Sequence, residues 1–213
     1  MERLICIAIG YVFGLFQTGY LYGKMKHIDI REHGSGNAGT TNTLRTLGWK
    51  AGIITFLGDC LKCVAAIVLV RFLFSEGDYP VALFGMYAGL GAVLGHNFPF
   101  YLKFKGGKGI ASTAGIIVAT NPVMIVVSAV IFGTVVGITR YVSLGSLVLM
   151  VSFVIQVVVY GQMGGFGLEG AQLYELYAVA VVLMIFAFVR HRENIVRLLN
   201  GTENKFGVSN KNK

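Results

Sequence analysis

Apolar residues in this chain gather into long blocks separated by short polar stretches. The blocks run over 4–22, 51–74, 81–94, 110–138, 142–160 and 173–189. A helix needs about 20 mostly apolar residues to cross a hydrocarbon core, so these blocks are membrane-span candidates. The block 110–138 is interrupted by "TNPV". Pro122 has no N–H to donate and disfavours helix at the residue before it, which divides the block into 110–120 and a returning 122–138. At about 1.5 Å per residue the first piece reaches only about 17 Å, the length of half a crossing. The pattern predicts an all-α polytopic transmembrane bundle of about seven helices, or six and a half.

If the chain reverses at Asn121–Pro122, the polar stretches 24–48, 95–109, 139–141 and 190–213 share one face. That face then holds Lys24, Lys26, Arg31, Arg45, Lys50, Lys103, Lys105, Lys108, Arg140, Arg190, Arg192, Arg197 and Lys205. The loops opposite, "SEGDYP" and "GQMGGFGLEGAQLYE", contain acids and neither Lys nor Arg. Basic loops lie on the cytoplasmic side, which sets the N-terminus outside and the C-terminus in the cytoplasm. The first block lacks a basic leader with a cleavage site and reads as a retained helix. No linker, low-complexity segment or obvious repeat interrupts the pattern, so 1–213 reads as a single integral-membrane domain.

Composition agrees with the pattern. Hydrophobic residues make up 55% of the chain and charged ones 13%, against roughly a quarter charged in soluble domains. Mean hydropathy is +0.70. The formal charge of +8 would suit a nucleic-acid partner, but its carriers sit in short loops between spans, which points to a membrane face or anionic substrates instead. Cys6, Cys60 and Cys63 all lie in apolar blocks, and one C-x-x-C without a second pair is a poor zinc site. They read as small apolar residues. There is no H-E-x-x-H and no G-x-S-x-G, so neither a metal centre nor a serine-hydrolase elbow is expected.

Three polar stretches carry the candidate chemistry. The first, "HGSGNAGTTNTLRTLG", offers hydroxyls and amides from Ser35, Asn37, Thr40, Thr41 and Asn42. Gly34, Gly36 and Gly39 permit close backbone approach. A helix starting there would aim its free N–H groups at an anion, with Arg45 adding a guanidinium. The second, "GHNFPFYLKFKGGKGIASTAG", sets Gly106, Gly107 and Gly109 around Lys108 after an aromatic interfacial segment. It looks like a phosphate cradle, although Gly109 stands where a nucleotide-binding Walker loop needs Ser or Thr. Lys103 and Lys105 read as membrane anchors. The third, "RHRENIVRLLNGTENKFG", places His191, Asn194 and Arg197 on one helix face. An interfacial amphipathic helix would explain that periodicity but not the choice of His and Asn. His96 and His191, where spans meet loops, suit catalytic, ligand-orienting or interfacial roles alike; His27 and His33 read as loop residues. Asp59 and Lys62 lie three apart inside the second span, as a functional site or equally as a structural ion pair.

The stretches "SGNAGTTNTLRTLG", "GHNFPFYLKFKGGKGIAS" and "HRENIVRLLNGTENK", in this order, resemble the PlsY family of bacterial acyl-phosphate-dependent glycerol-3-phosphate acyltransferases. "RYVSLGS" and the Asp59–Lys62 pair fit the same family, whereas Ile110 and Ser112 stand where Val and often Thr are usual. The resemblance implies a seven-helix enzyme of the bacterial inner membrane, with its active site facing the cytoplasm. It would move a fatty acyl group from acyl phosphate to the 1-hydroxyl of sn-glycerol 3-phosphate. The products are lysophosphatidic acid and phosphate, and the reaction is the first acylation of phospholipid synthesis. His191, Asn194, Ser35 and Arg45 are then catalytic, the last two from the substrate-binding loop. Gly36, Asn37, Thr41, Asn42, His96, Gly106, Gly107, Lys108 and Gly109 would bind substrate, and Glu203, Asp59 and Lys62 would be structural. No metal, cofactor or nucleic acid is implied. The partners are the two substrates, membrane lipids and a soluble enzyme that supplies acyl phosphate.

Chemistry narrows the mechanism further. Acyl phosphate is already an activated mixed anhydride, and uniting two anions calls for clustered cations and helix N-termini. The hydroxyl proton needs an acceptor. Without a Ser-His-Asp or H-x-x-x-x-D set, the phosphate of the donor is the expected one, with His191 as general base the rival. A transporter of organic phosphates is the other class to weigh, but polar groups gathered on one side, without repeated halves, argue against it. A polytopic anchor without chemistry leaves the three loops unexplained.

Overall fold

The structure, a computed structural model, describes residues 1–207. The last part of the predicted fourth loop, 208–213, lies outside them. The described residues are all-helical: α1 Glu2–Gly14, α2 Thr18–Met25, α3 Thr40–Leu47, α4 Trp49–Leu73, α5 Val81–Asn97, α6 Ile110–Thr120, α7 Pro122–Thr139, α8 Val142–Gln162, α9 Gly170–Arg190 and α10 Arg192–Leu199. Counting α1 and α2 as one unit, six helical segments are long and apolar enough to cross a membrane, and α6 is a shorter apolar helix.

The first block is not one helix, as its hydropathy implied. It breaks between Gly14 and Thr18, where Gln17 turns its side chain into the bundle. A break frees carbonyls that lipid cannot satisfy. Gln17 Nε2 donates to Gly14 O at 3.1 Å, Lys62 Nζ to Phe16 O at 2.6 Å, and Lys62 also to Gly14 O at 3.3 Å. One amide and one ammonium therefore make the kink tolerable in the membrane.

Helix α5 is the axis of the bundle, and most of its residues are buried. It packs closely on α1 because small residues recur every fourth position on both helices. A Cβ on Gly10 would strike the backbone of Ala88 and Ala92, and one on Gly95 the backbone of Tyr11 and Gly14. This approach sets the last turn of α5 against Gln17, which donates to Gly95 O at 3.3 Å and His96 O at 3.1 Å.

The reversal at Asn121–Pro122 forms as the proline predicts. Asn121 Oδ1 accepts from Val123 N at 2.7 Å and caps α7, with Pro122 at its first position. The N-terminal end of α6 and the C-terminal end of α7 line the same cavity, so the chain returns to the face it left. Helix α6 is 11 residues long, and near its end Arg71 Nη1 donates to Ala119 O at 2.6 Å. On the opposite face Arg3 pairs with Glu175, which also accepts from Tyr87 Oη at 2.6 Å. That pair neutralises a basic residue that the loop census passed over.

Candidate active site

All four polar stretches predicted to share a face meet at one cavity of about 710 Å³. Its polar end is framed by the starts of three helices. The first N–H groups to bond back within them are Thr43 to Gly39 O at 3.1 Å in α3, Thr113 to Gly109 O at 2.8 Å in α6, and Ile195 to His191 O at 2.9 Å in α10. The earlier N–H groups of each helix stay outside its ladder, and residues of all three first turns line the cavity. Three positive dipole ends converging on one space suit anions.

The cations stand in a connected network. Lys108 Nζ donates to Asn194 Oδ1, Asn194 Nδ2 donates to Glu203 Oε1 at 2.8 Å, and Arg197 Nε donates to Glu203 Oε2 at 2.8 Å. Burial, and then the Arg197 charge, draws the Lys108 ammonium down to about 8, while Glu203 holds it up. Arg45 reaches the same corner and donates to Asn204 O at 3.4 Å. His191 is 3% exposed, and burial followed by the Lys108 charge lowers its imidazole to about 4. It is therefore neutral near pH 7. Its Nδ1 lies 2.8 Å from Ala187 O, which can only accept, so Nδ1 carries the proton and Nε2 the lone pair.

The glycine turn works differently from its sequence reading. Gly106 N donates to Asn97 O at 3.2 Å and Gly107 N to His96 O at 3.1 Å, so neither is free to meet a phosphate. Their carbonyls accept from Arg190: Nη2 reaches Gly106 O and Gly107 O, both at 3.0 Å, and Nε reaches Gly107 O at 3.2 Å. Glycine is required here for close approach, because a Cβ on Gly107 would fall on the His96 ring. Gly109, at φ +82°, caps α6 in the left-handed region that favours glycine. The free donors thus lie one step further along, at Lys108 and the first turn of α6.

Asn42 lines the cavity too, and its amide holds its own loop. Its Nδ2 donates to Ile30 O at 3.0 Å, His33 O at 2.9 Å and Asn37 O at 2.9 Å, and its Oδ1 accepts from Ser35 N at 2.7 Å. The amide is fully engaged in holding the loop that presents Ser35. Ser35, Asn37, Thr41, Arg45, His96, Lys108, Gly109, His191, Asn194, Glu203 and Asp59 all line the main cavity. Gly36 and Gly106 line a neighbouring recess of about 300 Å³, which shares Ser35, Asn37, Lys108 and Arg197 with the first. Gly107 and Lys62 lie behind the walls.

Asp59 and Lys62 are each other's partners, as their spacing implied, at 2.9 Å. His96 joins them, with Nδ1 2.9 Å from Lys62 Nζ, and Thr18 Oγ1 donates to Asp59 Oδ1 at 3.1 Å. Gln17 and Arg190 are contributors that the sequence reading missed. The signal for Gln17 was a lone amide in an apolar block; Arg190 looked like any basic residue at a span end.

Away from the charges the cavity becomes apolar, walled by Leu44, Phe56 of α4, and Phe132 and Val136 of α7. Gly133 and Gly137 face open space there. Arg140, Ser143 and Ser146, from the "RYVSLGS" stretch, complete the wall.

The family model described as glycerol-3-phosphate acyltransferase matches residues 4–201. A glycerol-3-phosphate acyltransferase of Halalkalibacterium halodurans is 43% identical over 210 residues, covering 97% of each chain. Another, from Clostridioides difficile, is 41% identical over 206 residues, covering 96% of this chain and 95% of that one. The crystal structure of PlsY (YgiH), an integral membrane glycerol 3-phosphate acyltransferase, in its glycerol 3-phosphate form superposes with a TM-score of 0.83 at 32% identity, over 97% of this chain and 96% of that one. Its lysophosphatidic acid form gives 0.81 at 31%. The polar cavity and its apolar extension thus sit in a chain that belongs to the glycerol-3-phosphate acyltransferase family.

Proposed function

We propose that this acyltransferase takes its acyl group from acyl phosphate and delivers it to the 1-hydroxyl of glycerol 3-phosphate. The observation that carries the reading is one cavity with two characters: three helix N-termini and clustered cations at one end, an apolar trough between α4, α7 and α8 at the other. Two phosphates and one fatty chain fit that division. Lys108, Arg45, Arg197 and the first turns of α3 and α6 offset the repulsion between the anions, and the chain lies along Phe56, Phe132 and Val136.

The hydroxyl oxygen attacks the acyl carbon, the carbon–oxygen bond to phosphate breaks, and the departing phosphate carries away the hydroxyl proton. A neutral His191, held at Nδ1 by Ala187 O, presents its Nε2 lone pair to orient the hydroxyl. A base drawn down to about 4 is a weak proton acceptor near pH 7, which favours the phosphate in that role. Asn194, held by Glu203 and Lys108, supplies an amide beside the reacting groups, and Ser35 a hydroxyl. Glu203, Asp59 and Lys62 act as positioning groups.

The chain forms one domain in the bacterial cytoplasmic membrane, N-terminus outside and C-terminus inside. The basic loops that surround the cavity support that orientation. A soluble enzyme making acyl phosphate would supply the donor from the cytoplasm.

The test is phosphate release by the purified protein from palmitoyl phosphate and glycerol 3-phosphate, without metal or nucleotide. Release should depend on glycerol 3-phosphate and fall roughly 10- to 100-fold in Lys108→Ala, the loss of one charge-assisted hydrogen bond. Folded protein that releases no phosphate, yet acylates glycerol 3-phosphate from a thioester, would overturn the donor assignment.

A further inference from the structure

Asp59 lines the cavity with Lys62 behind it, and what this pair touches sets the chemistry of His96. Lys62 Nζ has four polar neighbours. Three of them only accept: Phe16 O at 2.6 Å, Asp59 Oδ1 at 2.9 Å and Gly14 O at 3.3 Å. The fourth is His96 Nδ1 at 2.9 Å. Paired with the Asp59 carboxylate at 2.9 Å, the amine is an ammonium with three N–H groups, and Gly14 O, the longest contact and already bonded by Gln17, is the neighbour it can spare. An ammonium has no lone pair, and Nδ1 must therefore accept from it. The ring proton is then on Nε2.

Position gives that proton a use. His96 is 2% exposed and lines the main cavity, and Nε2 is the ring atom nearest Gly107. The ring cannot easily turn, because Nδ1 is held by Lys62 at 2.9 Å and the ring packs against Gly107. The glycine turn packs against the ring, and the N–H groups of Gly106 and Gly107 are already bonded. A phosphate in the cavity beside them has to take that hydrogen bond from another donor.

We propose that the buried Asp59–Lys62 pair locks His96 as the neutral Nε2–H tautomer, and that this N–H donates a hydrogen bond to a phosphate oxygen of the substrate. No proton is transferred. His96 touches the substrate, whereas Lys62 and Asp59 are positioning residues that act through it, Asp59 by holding the ammonium and Thr18 by holding Asp59. The inference rests on the acyltransferase reading for the substrate, but the tautomer does not depend on which acyl donor is used.

The experiment is nitrogen-15 NMR of full-length protein in detergent, labelled in the imidazole nitrogens of its four histidines, with the His96 signals assigned by their loss in His96→Gln. Nδ1 should resonate as a pyridine-type and Nε2 as a pyrrole-type nitrogen. The Nε2 signal, and not Nδ1, should move on adding glycerol 3-phosphate alone or a non-reactive long-chain acylphosphonate alone; whichever moves it identifies whose phosphate is bound. Lys62→Met should replace the single tautomer with a mixture. That substitution should lower kcat/KM roughly tenfold in the parent and less than twofold in a His96→Gln background. An Nδ1–H tautomer or an imidazolium in the unmodified protein would overturn the proposal, even if no Lys62 variant folds. So would an Nε2 signal unmoved by both phosphate probes in a preparation that turns over. Loss of the acyl phosphate reaction with the tautomer and phosphate response intact would remove the donor assignment and leave His96 in its role.

Discussion

Replacing Glu203 by Gln removes one charge from the network that joins Lys108, Asn194 and Arg197, and does so without changing volume. The carboxylate accepts from Asn194 Nδ2 and Arg197 Nε, each at 2.8 Å. An amide oxygen can serve only one of these donors, and its NH2 faces the other. A lost hydrogen bond to a charged group is worth about 1.5–3 kcal/mol, so kcat/KM at pH 7 should fall roughly 10- to 100-fold. A second effect separates positioning from mere stability. Burial and Arg197 lower the Lys108 ammonium to about 8 against the opposing pull of Glu203. Glu203 stands two hydrogen bonds away, roughly 7 Å, and at an effective dielectric of about 20–40 its charge contributes about 1–2 kcal/mol, or roughly one pH unit. If protonated Lys108 binds phosphate, the parent's kcat/KM declines as pH rises through about 8, and in Glu203→Gln the decline should begin roughly one unit lower. The assay is phosphate release against pH at subsaturating glycerol 3-phosphate, with thermal unfolding followed in parallel. An equal loss at every pH, with the alkaline limb unmoved, would refute the electrostatic argument and leave Glu203 a purely structural residue.

Two further outcomes follow from the same geometry. His191→Gln should lower kcat but keep the acidic limb of its pH profile, because the accepting group belongs to the substrate; disappearance of that limb would make His191 the general base. Gly133→Leu should narrow the apolar trough, so that KM rises more for palmitoyl than for decanoyl phosphate, at about 0.8 kcal/mol or roughly fourfold for each methylene excluded; equal changes for both donors would place the chain elsewhere.

The helices, their reversal at Pro122 and the meeting of four polar loops were legible because each rests on a local property: hydropathy, a missing N–H, or the distribution of Lys and Arg. Hydrogen-bond partners were not. Asn42 and Asn194 are the same residue type in similarly polar loops, yet one is enclosed by its own loop's backbone and the other links Lys108 to Glu203. Gly106 and Gly107 look like phosphate-binding glycines until the carbonyls of Asn97 and His96 are found to hold their N–H groups. The break before Thr18 was hidden because Lys62, which stabilises it, lies on a different helix. Phe56 and Phe132 line the trough, but hydropathy cannot tell a trough wall from a lipid-facing surface.

The two histidines of the cavity show why the surroundings of a ring matter more than its presence. His191 is buried beside the Lys108 charge, and burial first and that charge second keep its ring neutral. For two neutral rings the remaining choice is where the single proton sits. At His191 a backbone carbonyl takes the Nδ1 proton and leaves Nε2 as an acceptor. At His96 an ammonium occupies the Nδ1 lone pair and leaves Nε2–H as a donor. The reaction needs one group of each kind, an acceptor to orient a hydroxyl and a donor to hold a phosphate oxygen. Exchanging the two environments would set a donor against the hydroxyl proton and a lone pair against an anion. The intramembrane Asp59–Lys62 pair is then more than a buried ion pair, because without its ammonium His96 has no reason to keep the proton on the side that faces the substrate.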